Sequence, residues 1–305
     1  MPDTAPDTSK PKRRWYQFSL KTIFLLVAVC AVPCGLFRWK SDQKQAERRA
    51  IAEIRQASGY VGYDWHFDTN QKKPQPPGPA FLRKILGDDF LAHATQVVEI
   101  GDEELVWLES LPDVETLDLR NKKNITNAGL EHLQGLSRLR YLVLNNTKVT
   151  GVCLRHVKQA KGLRVLGLQS LQITDAELVH LAAFPDLEEL NLVDTQITDA
   201  GMAHVAGLPK LRSLHVGLTK ITDQGLKHLE HLTKLESLWI DGTPITDDGL
   251  PYLRQLTNLH SLSLRRTKIC GAGLEHLQGL HELQELTLDQ TDIDDQGLQY
   301  GPAQK

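Results

Sequence analysis

Six histidines recur at one position of a repeating pattern: His132, His156, His180, His204, His228 and His276. Imidazole ligates metals and moves protons near neutral pH, so this column is the first place to look for chemistry. His228-x-x-His231 would put two rings on one helical face. Tyr252 and Tyr300, however, stand at the same position in two further copies. A metal site needs ligands that converge with closed geometry, whereas a column repeated along stacked units forms a ladder with rungs about 4.8 Å apart. The column reads as structural, with Tyr replacing His because it also offers a polar tip on a flat ring.

Other chemistry is thinner. Cys30 and Cys34 lie in an apolar segment, Cys153 and Cys270 are far apart, and no Cys-x-x-Cys pair occurs, which excludes a zinc ribbon, a redox motif and a disulfide framework. Asp289, Asp292, Asp294 and Asp295 lack the Gly and final Glu of a calcium loop, so they read as a solvated acidic turn. No phosphate-cradling Gly-rich loop, His-Glu-x-x-His or Gly-x-Ser-x-Gly is present. The expectation is a protein that is not an enzyme and carries no cofactor.

The elements that hold these residues repeat. The pattern L-x-x-L-x-L begins at Val114 and returns at Leu139, Leu163, Leu187, Leu211, Leu235, Leu259 and Leu283, with a period of 24 residues after a first step of 25. Within each period the L-x-L alternation is a strand with both Leu on one face. A turn such as Asp194–Asp199 follows, in which Thr198 or Asp199 is a suitable N-cap. Gly201-Met202-x-x-Val205-x-x-Leu208 then has the spacing of a short helix or irregular helical turn. Neither piece can bury its apolar side alone. Stacking gives a curved α/β solenoid, with parallel strands on the concave face and short helices on the convex face. A Thr column (Thr147, Thr195, Thr219, Thr243, Thr267, Thr291) is expected to satisfy backbone groups where strand turns to helix.

The sequence L-x-x-L-x-L-x-x-T-x-I-T-D-x-G-L-x-H-L resembles the leucine-rich repeat, in particular the cysteine-containing repeats of F-box proteins. The resemblance covers residues 114–298, with Thr95 to Leu111 as a shortened first copy. No F-box helices precede the repeats, so a ubiquitin-ligase role does not carry over. The Arg-Arg-Trp-Tyr-Gln-Phe-Ser-Leu-Lys-Thr segment at 13–22, and the Pro-Pro-Gly-Pro-x-Phe-Leu-Arg-Lys-Ile-Leu-Gly-Asp-Asp-Phe block, are similar to segments of planctomycete membrane proteins.

Four regions are expected: a basic tail (1–14), a transmembrane anchor (15–39), a juxtamembrane helix and Pro-rich linker (40–80), and the repeat domain (81–301). Thr22 to Phe37 carries no charge. Trp15, Tyr16 and Trp39 bracket it as interfacial rings, and the span from Trp15 to Trp39 would reach about 37 Å as a helix. A cleaved signal peptide is the competing reading of this segment. Basic residues flank the span on both sides, so orientation rests on the short N-terminal tail, which places the repeats on the non-cytoplasmic side. Residues 41–57 read as the juxtamembrane helix with Ala46, Ile51, Ala52 and Ile54 as its apolar stripe, residues 59–65 as a short strand, and residues 81–87 as a short helix ending at Gly.

The net charge of −3 hides an asymmetry: residues 1–58 carry +6 and the remainder −9. An acidic body excludes nonspecific nucleic-acid binding. A surface remains. The residues flanking the inner Leu of each strand point to the concave side, and among them Trp239 exceeds what the repeat needs. Trp, Tyr and Arg dominate binding hot spots, so Trp239, His215, Asp241 and Arg265 form the first candidate patch, and Tyr141 with Val143 the second. The expected function is a membrane-anchored repeat protein that binds a protein or peptide partner on this face. The alternative is an assembly module that forms homo-oligomers through the open end of its last strand.

Overall fold

The computed structural model describes residues 20–64, 75–294 and 299, without the side chains of residues 20–33 and 35. Two compact units are distinguished, residues 1–45 and 46–305. The second holds a ten-stranded sheet in sequence order. Its strands are β1 (Tyr60–Tyr63), β2 (Ala94–Val98), β3 (Thr116–Asp118), β4 (Tyr141–Val143), β5 (Val165–Gly167), β6 (Glu189–Asn191), β7 (Ser213–His215), β8 (Ser237–Trp239), β9 (Ser261–Ser263) and β10 (Glu285–Thr287). β1 pairs with β2 antiparallel, and every later pair is parallel.

Each three-residue strand exists because one aliphatic side chain at its centre points inward. Leu117, Leu142, Leu166, Leu190, Leu214, Leu238 and Leu262 lie in one register and are buried. Opposite them stand the apolar residues of the return segments, such as Met202, Val205 and Leu208. The return segments are short: α-helices at Cys153–His156, Asp175–Leu178, Asp199–Val205 and Asp223–Lys227, and 3-10 helices at Glu103–Ser110, Gly129–Gly135, Val179–Ala183, Asp247–Leu253 and Ala272–Leu277. None approaches the length at which a helix is stable alone, so packing against the Leu column holds them.

The turn out of each strand repeats too. One residue per coil is left-handed: Asn121, Asn146, Ser170, Asp194, Leu218, Gly242, Arg266 and Gln290, with φ between +56° and +65°. Next to it stands the Thr column, whose hydroxyls donate back into the turn. Thr147 bonds Leu144 O (2.8 Å), Thr195 bonds Leu192 O (2.7 Å), Thr219 bonds Val216 O (2.6 Å) and Thr243 bonds Ile240 O (2.6 Å). The hydroxyls satisfy buried carbonyls, as the sequence implied.

A second ladder crosses from coil to coil. Thr198, Thr222 and Thr246 are the N-caps, each hydroxyl accepting from the amide two residues on. The following Asp serves the next coil rather than its own. Asp175 receives the amide and hydroxyl of Thr198 (2.8 and 2.6 Å), Asp199 those of Thr222 (2.7 and 2.6 Å), and Asp223 those of Thr246 (2.9 and 2.8 Å). The Gly of T-D-x-G makes room for that carboxylate: a Cβ on Gly225 or Gly249 would stand 2.5 Å from the preceding Asp oxygen.

The N-terminal end is closed by α1 (Leu20–Gln56) and β1. Ala50, Ile51 and Ile54 of α1 are buried, whereas Ala46 and Ala52, expected in the apolar stripe, are exposed. The buried residues fall at helical spacing over the first coil, and Gly59 passes so close to Ile54 and Ile100 that a Cβ would not fit. Arg48 fixes this cap: its guanidinium donates to both carboxylate oxygens of Asp89 (2.6 and 2.8 Å) and to Leu86 O (2.7 Å), just past α2 (Ala80–Leu86). Residues 46–64, read in the sequence as juxtamembrane, thus form part of the sheet-bearing unit.

Among the described residues, no helix is long and apolar enough to cross a membrane. The expected anchor begins outside the described residues, at 15–19. In its described part, Leu36, Phe37 and Trp39 are more than half exposed. At the far end, Leu283, Leu286 and Leu288 are only partly buried, unlike their counterparts in earlier coils.

Candidate functional site: the strand face

Because the strands are in register, the residues flanking each inner Leu form straight columns. His215 of β7 lies opposite Trp239 of β8, which lies opposite Ser263 of β9. The two rings stack, with centroids 4.4 Å apart and planes inclined by 14°. That separation is close to the strand spacing, so the stack runs across the sheet and His215 covers one indole face. The other face looks toward β9, where only a serine stands. Trp239 remains 41% exposed, the degree expected of a ring supported on one side.

Around the stack the floor is small and polar. Ser213, Ser237 and Ser261 occupy the preceding column, and the Ser213 hydroxyl lies 3.0 Å from Nε2 of His215. Asp241, where the chain leaves β8, takes the Ser263 hydroxyl and the Arg265 amide (3.1 Å) on Oδ1. It therefore binds the Arg265 backbone. Among the described residues the exposed Arg265 guanidinium has no ion-pair partner. Burial pushes the His215 imidazole below its ordinary value of 6.5, against the opposing pull of Glu189 and Asp241, which keeps the ring neutral at pH 7.

The structure thus brings Trp239, His215, Asp241 and Arg265 together on adjacent coils. Tyr141, 43% exposed, and Val143 lie on β4, four strands away, about 19 Å at the usual strand spacing. They form a separate patch, where Val143 leans over the bare Gly167. Sequence reasoning missed Leu218, which is 52% exposed in the left-handed conformation and touches Gly242. The signal was a Leu in a column otherwise filled by Asn, Ser, Asp, Gly, Arg and Gln.

The histidine column is less uniform than its spacing. Nδ1 of His132 meets Glu109 (2.6 Å), His180 accepts from Arg155 (3.0 Å) and His276 lies beside Glu275, while His204 and His228 are exposed. The rungs share a place but not a partner. Among the described residues, no three metal-ligating side chains gather.

The comparisons agree with this geometry. Residues 185–206 and 207–229, two consecutive stretches that include β6 and β7, match the family model described as leucine-rich repeat. Those two stretches are leucine-rich repeats. An internalin of Listeria monocytogenes is similar at 27% identity over 63% of this chain and 60% of its own, with a TM-score of 0.51. The repeat ectodomain of the Arabidopsis receptor kinase HAESA, solved with a peptide hormone, shares the fold at 17% identity over 82% of this chain and 42% of its own, with a TM-score of 0.57. The chain thus spans less than two thirds of either structure's length. No curated protein matches it.

Proposed function

We propose that the leucine-rich repeats bind a protein or peptide partner on their strand face, centred on Trp239, and that a segment within residues 15–39 anchors the chain to a membrane with the repeats on the non-cytoplasmic side. The His215–Trp239 stack carries the reading: a large aromatic held on one face, half-exposed and ringed by serines, is already ordered before any partner arrives. Rigid presentation reduces the ordering cost of association. The peptide seated on the HAESA ectodomain belongs to that protein, and it illustrates what repeats of this fold can present. The anchor reading rests on the uncharged run and its flanking Trp and Tyr.

Trp239→Ala in the full-length chain is expected to weaken partner capture about 30-fold, as truncation of a central aromatic hot spot does, while leaving the melting temperature nearly unchanged. Equal capture by the two forms from detergent extracts would refute the site. Retention of the chain in carbonate-washed membranes, lost on deleting residues 15–39, checks the anchor.

The half-buried Leu286 and Leu288 favour a second reading, self-association through β10. A concentration-dependent mass in sedimentation equilibrium, abolished by Leu286→Asp, is its expected signature, and a strict monomer would rule it out.

A further inference from the structure

Several cations of the repeats are paired across coils. Arg138 meets Asp113, Arg140 meets Glu115, Arg164 meets Glu188, and Lys210 meets Asp186. One coil carries an excess of them, Arg164 included. Residues 147–164 contain five Lys and Arg and no Asp or Glu. On its helical side, between the Gly129–Gly135 helix and the Cys153–His156 helix, lies a cavity of about 230 Å³ lined by Gln134, Arg155, His156, Lys158 and Gln159.

Every lining side chain can donate a hydrogen bond, and no carboxylate is among them. Arg155 spends Nε on His180, and its charge also acts on Glu177. Gln134, His156, Lys158 and Gln159 have no side-chain partner among the described residues. His132, His180 and His276 of the same column each have a charged neighbour; His156, His204 and His228 have no such partner among the described residues, and of these His156 lines the cavity. An arginine, a lysine, an imidazole and two amides around one cavity form the kind of donor set that a compact, multiply charged oxyanion requires.

The geometry points to this cavity as a binding site for the phosphate group of a small soluble molecule. The site lies on the helical side, away from Trp239, and is independent of partner binding on the strand face.

Pyrophosphate is titrated into the full-length chain while the His156 ring resonances are followed by NMR, with sodium chloride at matched ionic strength as the control. A saturable shift confined to the lining residues is expected, and Lys158→Gln, a change at an exposed and unpaired side chain, should weaken binding about tenfold, as loss of one charge-assisted contact does. An equal response to sodium chloride, or equal affinity in Lys158→Gln, would overturn the site. Binding to vesicles containing anionic phospholipid without any response to free pyrophosphate would overturn the assignment to a soluble ligand.

Discussion

Two departures from the T-D-x-G pattern explain each other at the scale of single residues. Where a coil should offer Asp it has Gly151, and where the next should have Gly it has Glu177. Glu177 folds back into the vacated space, and its Oε2 takes the Thr174 amide (2.9 Å) and hydroxyl (2.7 Å), the bonds that Asp175 gives Thr198. These bonds hold its carboxyl below the usual glutamate range. A Cβ at Gly151 would collide with the Glu177 side chain. Gly151→Asp alone should cost about 1–3 kcal/mol by overpacking, and Glu177→Gly about 1–2 kcal/mol through lost hydrogen bonds. The double variant should recover at least about 1 kcal/mol relative to their sum, because Asp at 151 could then serve Thr174. Simple additivity in urea unfolding would contradict the ladder. The stack makes a separate prediction. His215 titrates lower in the folded chain than the ordinary 6.5, so the folded state binds fewer protons there. Its contribution is complete above that value and is lost as pH falls from 6.5 toward the lower folded value. His215→Phe should flatten this acid-side loss of stability while keeping the ring stack, and an unchanged pH profile would count against the assignment. Burial also pushes the Cys153 thiol up to about 12. Thiol reagents should label the exposed Cys270 and spare Cys153 until the chain unfolds.

The elements show how local choices close the sheet. Arg48 is half-exposed, yet three hydrogen bonds hold it to Asp89 and Leu86, and Ile54 is fully buried beneath the same helix. Ile54→Ala should therefore cost about 2–5 kcal/mol. Arg48→Ala should cost less, about 1–2 kcal/mol, because the guanidinium remains partly solvated. Comparable small losses from both would mean that the end of α1 does not cap the first coil; urea denaturation of the two variants decides it. The cap was only partly legible in the sequence. The strand near Tyr60 and the helix ending at Gly87 were visible from turn residues and short apolar runs. The buried stripe of α1 was drawn through Ala46 and Ala52 because Ala counts as apolar wherever it falls, and only packing selects Ala50 instead. The strand columns were legible throughout, since a period of 24 residues fixes register once one Leu is placed. The Asp ladder was not, for a carboxylate after an N-cap Thr looks helix-stabilising whether it serves its own coil or the next. The His215–Trp239 neighbours were legible as adjacent column positions, but the stack and the neutral state of His215 arise from burial, which spacing does not reveal.

Over the whole molecule, stability is shared between neighbours rather than around one centre. A coil is held by the coil on each side through Leu contacts, the Asp ladder and paired charges, so cooperative strength is greatest where both neighbours are complete. The N-terminal end has α1 and β1 over it. β10 pairs only with β9 among the described residues, and its coil buries its leucines incompletely. Gly271, at the ladder position of the preceding coil, has no carboxylate to offer, so the last coil also lacks the link that Asp175, Asp199 and Asp223 give the coils after them. Opening should therefore begin at β10 and travel inward. Native-state hydrogen exchange should show amides of β10 and then β9 exchanging at least about tenfold faster than those of β5–β7. Leu286→Ala should cost under about 1 kcal/mol, where Leu214→Ala costs about 2–5 kcal/mol. Uniform protection from β3 to β10 would mean that the coils unfold as one block. Protection lowest at β2 would mean that the end of α1 contributes little, and either outcome would reverse the direction of fraying derived from burial and ladder continuity.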